Sequence, residues 1–142
     1  MKHILSDTGI RPTKARIWIM EHLIRSNSHP STEELNMALR EKGCLIPPAT
    51  LYQNLEKLTA EGLLIRFKGI DGQARYDANL ALHHHLICRI CNRVRDIRLD
   101  TPLTSLLIRD DKTGNTVENW TLENAAIELK GICPDCDAAL RS

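Results

Sequence analysis

Aromatic side chains are scarce in this chain, which has one Phe, two Trp and two Tyr among 142 residues. A core built from stacked rings is therefore excluded, and Leu, Ile and Ala must supply the buried surface. Long apolar runs are missing too. Nothing approaches the roughly 20 consecutive apolar residues that span a bilayer, and Met1 to Asp7 lacks the apolar stretch of a secretory signal. These absences predict a soluble, cytoplasmic protein with no membrane partner. Bulk charge is also absent, since the formal net charge is +1. That excludes a nucleic-acid binder working by overall charge alone, but the two halves differ. Residues 1–76 carry 11 Lys or Arg against 8 Asp or Glu, a net of +3, and residues 77–142 carry 8 against 10, a net of −2. The basic half suits phosphate and the acidic half suits cations.

Five cysteines are present, four of them in two pairs, Cys88-Arg89-Ile90-Cys91 and Cys133-Pro134-Asp135-Cys136. A reducing cytosol disfavours disulfides, so paired cysteines there read as ligands. Each Cys-x-x-Cys bend offers two thiolates, and two bends complete the tetrahedral shell of a structural Zn²⁺. The 41 residues between Cys91 and Cys133 exceed a common zinc-finger gap, so the ion ties the chain's end back to an earlier hairpin. A redox dithiol would need a strand-to-helix setting that neither pair has, and iron–sulfur proteins usually group their cysteines differently. Cys44 is left over and reads as a small packed apolar residue.

The first half reads as helices. Pro12 sits near the first turn of a helix whose buried face is Ile17, Met20, Leu23 and Ile24. Ser31 and Glu34 form a capping box that opens a second helix, with Leu35, Ala38 and Leu39 inward, ending at Gly43. A third helix follows Pro47-Pro48, with Leu51, Leu55 and Leu58 inward and Tyr52, Gln53, Glu56 and Lys57 outward. Leu63 to Lys68 and Gln73 to Asp77 then make a hairpin about Gly69 to Gly72. Three helices and a terminal hairpin are the plan of a winged helix, whose third helix enters the DNA major groove. Arg66, Lys68 and Arg75 are expected to place positive charge on the wing.

The predicted organisation is α+β: a winged-helix DNA-binding domain over 1–78, a hinge over 79–82, and a small α/β dimerisation domain over 83–142 holding the four-cysteine zinc site. In the second domain, His85 to Cys88 and Val94 to Arg98 read as strands folding back at the first cysteine pair. Thr101-Pro102 opens a short helix with Leu103, Leu106 and Leu107. Lys112 to Asn115 is a turn, and Thr116 to Trp120 and Ala126 to Leu129 are further strands.

Three histidines in a row, His83-His84-His85, precede the first cysteine pair. Alternate strand residues share a face, so His83 and His85 point together. A fold-back at the cysteine turn brings position 83 about opposite Asp96. Asp77 and His29 are candidates to reach the same point from the first domain, although a His before Pro is usually only a loop residue. The triplet alone also fits a solvated patch. The fold-back of Asp96 and the nearness of Asp77 favour a metal.

Taken together these residues resemble the ferric uptake regulator family of metal-dependent repressors, most closely its peroxide-sensing branch. The stretches that carry the resemblance are Gly9-Ile10-Arg11, Ser28-His29-Pro30-Ser31, Ala49-Thr50-Leu51-Tyr52-Gln53-Asn54-Leu55, Glu61-Gly62-Leu63, Arg75-Tyr76-Asp77, His83 to Cys91 and Gly131 to Cys136. The resemblance implies a regulatory Fe²⁺ or Mn²⁺ held by His29, Asp77, His83, His85 and Asp96, and structural zinc held by Cys88, Cys91, Cys133 and Cys136. It implies DNA contacts from Arg16, Ala49, Thr50, Tyr52, Gln53 and Lys68, and a homodimer on an inverted-repeat operator. Peroxide reduced at the iron would oxidise His29 and His83 and release the DNA. Three features depart from parts of the family. No His follows His85, and Asn124 and Ala125 stand where iron-sensing relatives place histidines. Asp96 stands where those relatives often have Glu. Pro47 stands where many relatives have a Ser able to cap the recognition helix. The alternative on the same fold is an iron, zinc or manganese uptake repressor without peroxide sensing. An enzyme is disfavoured because the chain is short, no Glu base sits in a metal motif and half the length goes to a winged helix. A zinc-stapled interaction module without DNA binding is the remaining rival, told apart by a salt-insensitive or absent affinity for DNA.

Overall fold

The computed structural model describes residues 2–100, 108–117 and 126–142. The chain divides into two compact units, 1–81 and 82–142. Among the described residues no helix is long and apolar enough to cross a membrane.

The first unit orders α1 (Lys2–Asp7), α2 (Lys14–Ser26), α3 (Thr32–Glu41), α4 (Pro48–Ala60), β1 (Ile65–Lys68) and β2 (Ala74–Asp77). Its core is aliphatic, as the lack of aromatics requires: Leu5, Ile19, Leu35, Leu51, Leu55 and Leu58 are fully buried, and Tyr76 is the one large ring among them. Helix α1 has no forerunner in the sequence pattern. It is six residues long, and among its described side chains Leu5 is the buried one. Gly9, at φ +73°, ends it: the Gly9 N–H donates to Ser6 O and the Ile10 N–H to Leu5 O, each at 3.0 Å. Only glycine enters that left-handed backbone without strain, and buried Leu5 and Ile10 flank the turn.

Helix α2 begins as the Gly9 to Thr13 loop ends: Thr13 is its cap, accepting from the Arg16 N–H at 3.4 Å, so Pro12 lies just before the first turn. Its buried face is Ile19, Met20, His22 and Leu23, while Ile17 is half-buried and Ile24 is exposed. The capping box forms as expected: the Glu34 N–H donates to Ser31 Oγ and the Ser31 N–H to Glu34 Oε2.

Helix α4 has Pro47 at its cap and no side-chain cap bond. A missing cap costs about 1 kcal/mol. Burial of Leu51, Leu55 and Leu58, each worth about 2 kcal/mol, outweighs it. Its outer face carries exposed Ala49, Tyr52, Gln53 and Lys57. The antiparallel pair β1–β2 runs in register from Ile65 opposite Asp77 to Lys68 opposite Ala74, giving the wing.

The wing's charge differs from expectation. Lys68 is exposed, but Arg66 Nη1 meets Glu56 Oε1 at 3.0 Å and Arg75 is buried at 4% exposure. Residue 75 bridges to Ser31 in antiparallel fashion, and the Tyr76 N–H donates to Pro30 O. The loop before α3 thus pairs with the edge of β2 that a free wing would leave open.

The second unit has a three-stranded sheet, order β4-β3-β5, with β3 (His84–Cys88), β4 (Val94–Ile97) and β5 (Glu128–Gly131), followed by α5 (Pro134–Arg141). β3–β4 is antiparallel and β3–β5 parallel, so the latest strand docks beside the earliest. Two expectations shift. His85, not His83, pairs with Asp96, and the last strand begins at Glu128 rather than Ala126. A tight turn follows at Asp110 to Asn115, whose ends close by a bridge between Arg109 and Thr116. The expected helix of Leu103, Leu106 and Leu107, most of the Thr116 to Trp120 strand, and Asn124 and Ala125 lie outside the described residues.

Candidate metal centres

The four paired cysteines converge. Their sulfurs all lie within 4.8 Å of one another, with Cys91 Sγ and Cys133 Sγ 3.8 Å apart. Two sulfurs about 2.3 Å from one tetrahedral ion stand about 3.8 Å apart, so the spacing fits Zn²⁺. The convergence follows from the sheet: β3 delivers Cys88, the turn after it Cys91, and parallel β5 leads into Cys133 at the cap of α5, with Cys136 one turn on. Hydrogen bonds already favour thiolate. N–H groups of Cys91 and Cys133 pull the Cys88 thiol down to about 6, and the Cys133 N–H stands 3.3 Å from Cys88 Sγ. Cys136 is pushed the other way, to about 12, foremost by its bond with the Cys133 side chain. Four sulfurs this close resist shared ionisation unless a cation sits among them. Arg93 pairs with Asp135 at 2.6 Å, and its positive charge also feels Cys133 and Cys91.

The nitrogen and oxygen donors fall in two groups, one per unit. In the first unit, His29 Nε2 lies 3.4 Å from Asp77 Oδ2, both side chains buried. His29 ends the loop after α2, and its ring meets the Phe67 ring edge-on at 5.7 Å. Asp77 closes β2, and its Oδ1 accepts from the Asn79 N–H at 2.7 Å, which leaves Oδ2 towards His29.

In the second unit, His83 Nε2 and His85 Nε2 stand 2.9 Å apart, and Asp96 Oδ1 lies 3.6 Å from the first and 3.8 Å from the second. Two nitrogens bound about 2.1 Å from one ion at a right angle are about 3 Å apart, so this trio also fits a first-row divalent cation. His84 points away. Its Nδ1 accepts from the Ile127 N–H at 3.3 Å, tying β3 to the approach of β5. The triplet therefore splits into two donors and one structural residue, as strand alternation requires.

The candidate DNA residues sit in the first unit. Ala49, Tyr52 and Gln53 are exposed on α4, Thr50 is half-buried there, and Lys68 is exposed on β1. Arg16 is half-buried and bonded at both ends of its guanidinium. Sequence reasoning missed Asn54, buried on α4 and bonded to Arg16, and it misread Arg75. A polar residue at the inward position of an otherwise leucine face was the available signal for Asn54.

The model of the ferric uptake regulator family matches residues 7–129. The peroxide-responsive repressor PerR of Staphylococcus epidermidis is 30% identical over 132 residues, covering 93% of this chain and 85% of that protein. The peroxide operon regulator of Bacillus subtilis is 28% identical, covering 93% and 88%. Among solved structures, the ferric uptake regulator of Vibrio cholerae superposes with a TM-score of 0.72 at 26% identity, covering 93% of this chain and 98% of that one.

Proposed function

The chain belongs to the ferric uptake regulator family, and from that premise we propose that it is a metal-dependent, homodimeric transcriptional repressor that responds to peroxide. The single observation that carries the reading is the His83, His85 and Asp96 trio, whose donor spacing fits one divalent ion. Relatives named for their response to peroxide support the choice of signal. Cys88, Cys91, Cys133 and Cys136 hold structural zinc. His29 and Asp77 join His83, His85 and Asp96 around the regulatory ion, Fe²⁺ or Mn²⁺, so that ligands from both units share one cation. Bound there, Fe²⁺ would supply the electrons for peroxide reduction beside the imidazoles of His29 and His83.

The residues' own work is to hold and to report. His29 and Asp77 belong to the unit that carries α4, and His83, His85 and Asp96 to the other, so a shared ion fixes the recognition helices of a dimer at the spacing of an inverted repeat. Tyr52 and Gln53 face base edges, Ala49, Thr50 and Lys68 face backbone phosphate, and Arg16 stands beside them. Oxidation of His29 or His83 removes a donor and loosens the clamp. Moving a two-state switch from 1:99 to 99:1 requires about 5.5 kcal/mol of differential binding, within reach of a transition-metal site.

Two measurements test this. Iron-loaded protein treated with dilute peroxide should gain one oxygen on peptides containing His29 or His83. Its absence favours an uptake repressor that senses metal level alone. Replacing His85→Ala should abolish metal-dependent DNA binding while zinc stays near one per chain, and retained metal dependence would contradict the shared site.

A further inference from the structure

Arg16 lies in the first turn of α2, where the helix dipole disfavours a cation. Its guanidinium is instead held by two acceptors. Nε donates to Asn54 Oδ1 on α4 at 2.9 Å, and Nη1 donates to the backbone carbonyl of Arg11, in the loop before α2, at 2.9 Å. Asn54 is 9% exposed, on the same inward face as Leu51, Leu55 and Leu58. A buried amide is costly unless bonded. Its Nδ2 donates to Thr50 O at 2.7 Å, which fixes the amide's orientation and turns Oδ1 towards Arg16.

We propose that Arg16 and Asn54 form a brace that sets the Arg11 loop at a fixed distance from helix α4, making both positioning residues for DNA recognition rather than contacts to bases or phosphate. The inference rests on the reading that α4 enters a DNA groove. The brace has three parts in series: the exposed Arg11 and Pro12 loop, the planar fork of Arg16, and an amide next in sequence to exposed Tyr52 and Gln53. A fork is needed because the two acceptors lie on different elements. Lysine carries the same charge but cannot span both in fixed geometry.

A direct phosphate contact and a brace respond differently to substitution. Removing a phosphate contact lowers the slope of log affinity against log salt by about one and weakens binding to all sequences alike. Breaking a brace misplaces groups that still carry their charge, so specific affinity falls while slope and non-specific affinity stay.

The experiment uses full-length protein loaded with Mn²⁺ and a duplex selected by the wild-type protein from a random-sequence pool, with a scrambled duplex as control. Arg16→Lys and Asn54→Ala should each lower specific affinity about tenfold, with salt slope and scrambled-duplex affinity unchanged. The double variant should be little worse than either, because both remove one connection. Arg16→Lys keeps the charge of a half-buried residue, so it reports even if Asn54→Ala unfolds. Wild-type affinity for Arg16→Lys would overturn the inference. So would a reduced salt slope in Arg16→Ala with no effect of Asn54→Ala, which makes Arg16 a phosphate contact. If the wild type selects no duplex at all, the DNA reading itself fails.

Discussion

Arg75 donates through Nη1 to the backbone carbonyl of His29 at 2.9 Å. The same nitrogen meets Glu34 Oε2 at 3.0 Å, and Nη2 meets Asp71 Oδ2 at 2.9 Å. One guanidinium therefore joins the loop of a candidate metal ligand, the capping box of α3 and the wing turn. The room it occupies is tight, since a Cβ on Gly69 would lie 2.6 Å from Arg75 Nε.

Arg75→Leu is expected to destabilise the first unit by about 2 kcal/mol, measured by urea unfolding. The carboxylates of Glu34 and Asp71 are 55% and 20% exposed, so water recovers them, and the cost is mainly the orphaned His29 carbonyl. Gly69→Ala should push the guanidinium aside and produce a milder version of the same loss. Full stability in Arg75→Leu would show that the buried charge contributes nothing net.

Removing zinc with a strong chelator should unfold the second unit, an effect on the order of 10 kcal/mol for a structural site. Thiol titration provides the count. Metal-loaded protein should react at Cys44 alone, which is half-buried, and chelated protein at all five cysteines. Cys91→Ser or Cys136→Ser should behave as the chelated form. Unchanged circular dichroism after chelation would show that the sheet closes without the ion.

His22 gives an acid-sensitive contact in the first unit. Burial first, and then the Lys42 ammonium at 3.0 Å from Nδ1, hold its pKa below the usual 6.5. Above that value folded and unfolded chains both carry a neutral ring, and the stability is fully present. As pH falls below it the unfolded chain takes up the proton first, so stability is lost down to the folded pKa. His22→Gln should flatten unfolding midpoints across this window, and an unchanged pH profile would show that the ring titrates normally.

The legible parts of the fold were local. Ser31 and Glu34 stand three apart and bond as a box, and the leucines of α4 recur at helical spacing and are buried as that spacing requires. The cysteine pairs announced themselves because two sulfurs on one bend have few other uses. Arg75 was misread for a tertiary reason. Alternation along β2 predicts one wet face, yet Arg75, Tyr76 and Asp77 are all buried: the His29 to Ser31 loop pairs with the strand's edge, and His29, Glu34 and Asp71 engage the side chains of Arg75 and Asp77. Helix α1 was invisible because six residues are too few to display a helical period.

The histidine pairing shows why a partly wrong register still found the right trio. The expected turn placed Asp96 opposite position 83, and the observed turn places it opposite His85. That shift is two residues, one full strand period, so the same face meets the same partner. An odd shift would have sent both imidazoles to the far side.

Parallel pairing of β3 with β5 also sets the order of assembly. The first unit's core is complete by Tyr76, so a growing chain can fold it early. The second sheet waits for Glu128 to Gly131, and its sulfur ring waits for Cys136. A ribosome-bound intermediate thus presents Cys88 and Cys91 as an unfinished chelate, and any product that stops before residue 128 keeps its reading head while losing half its sulfur grip.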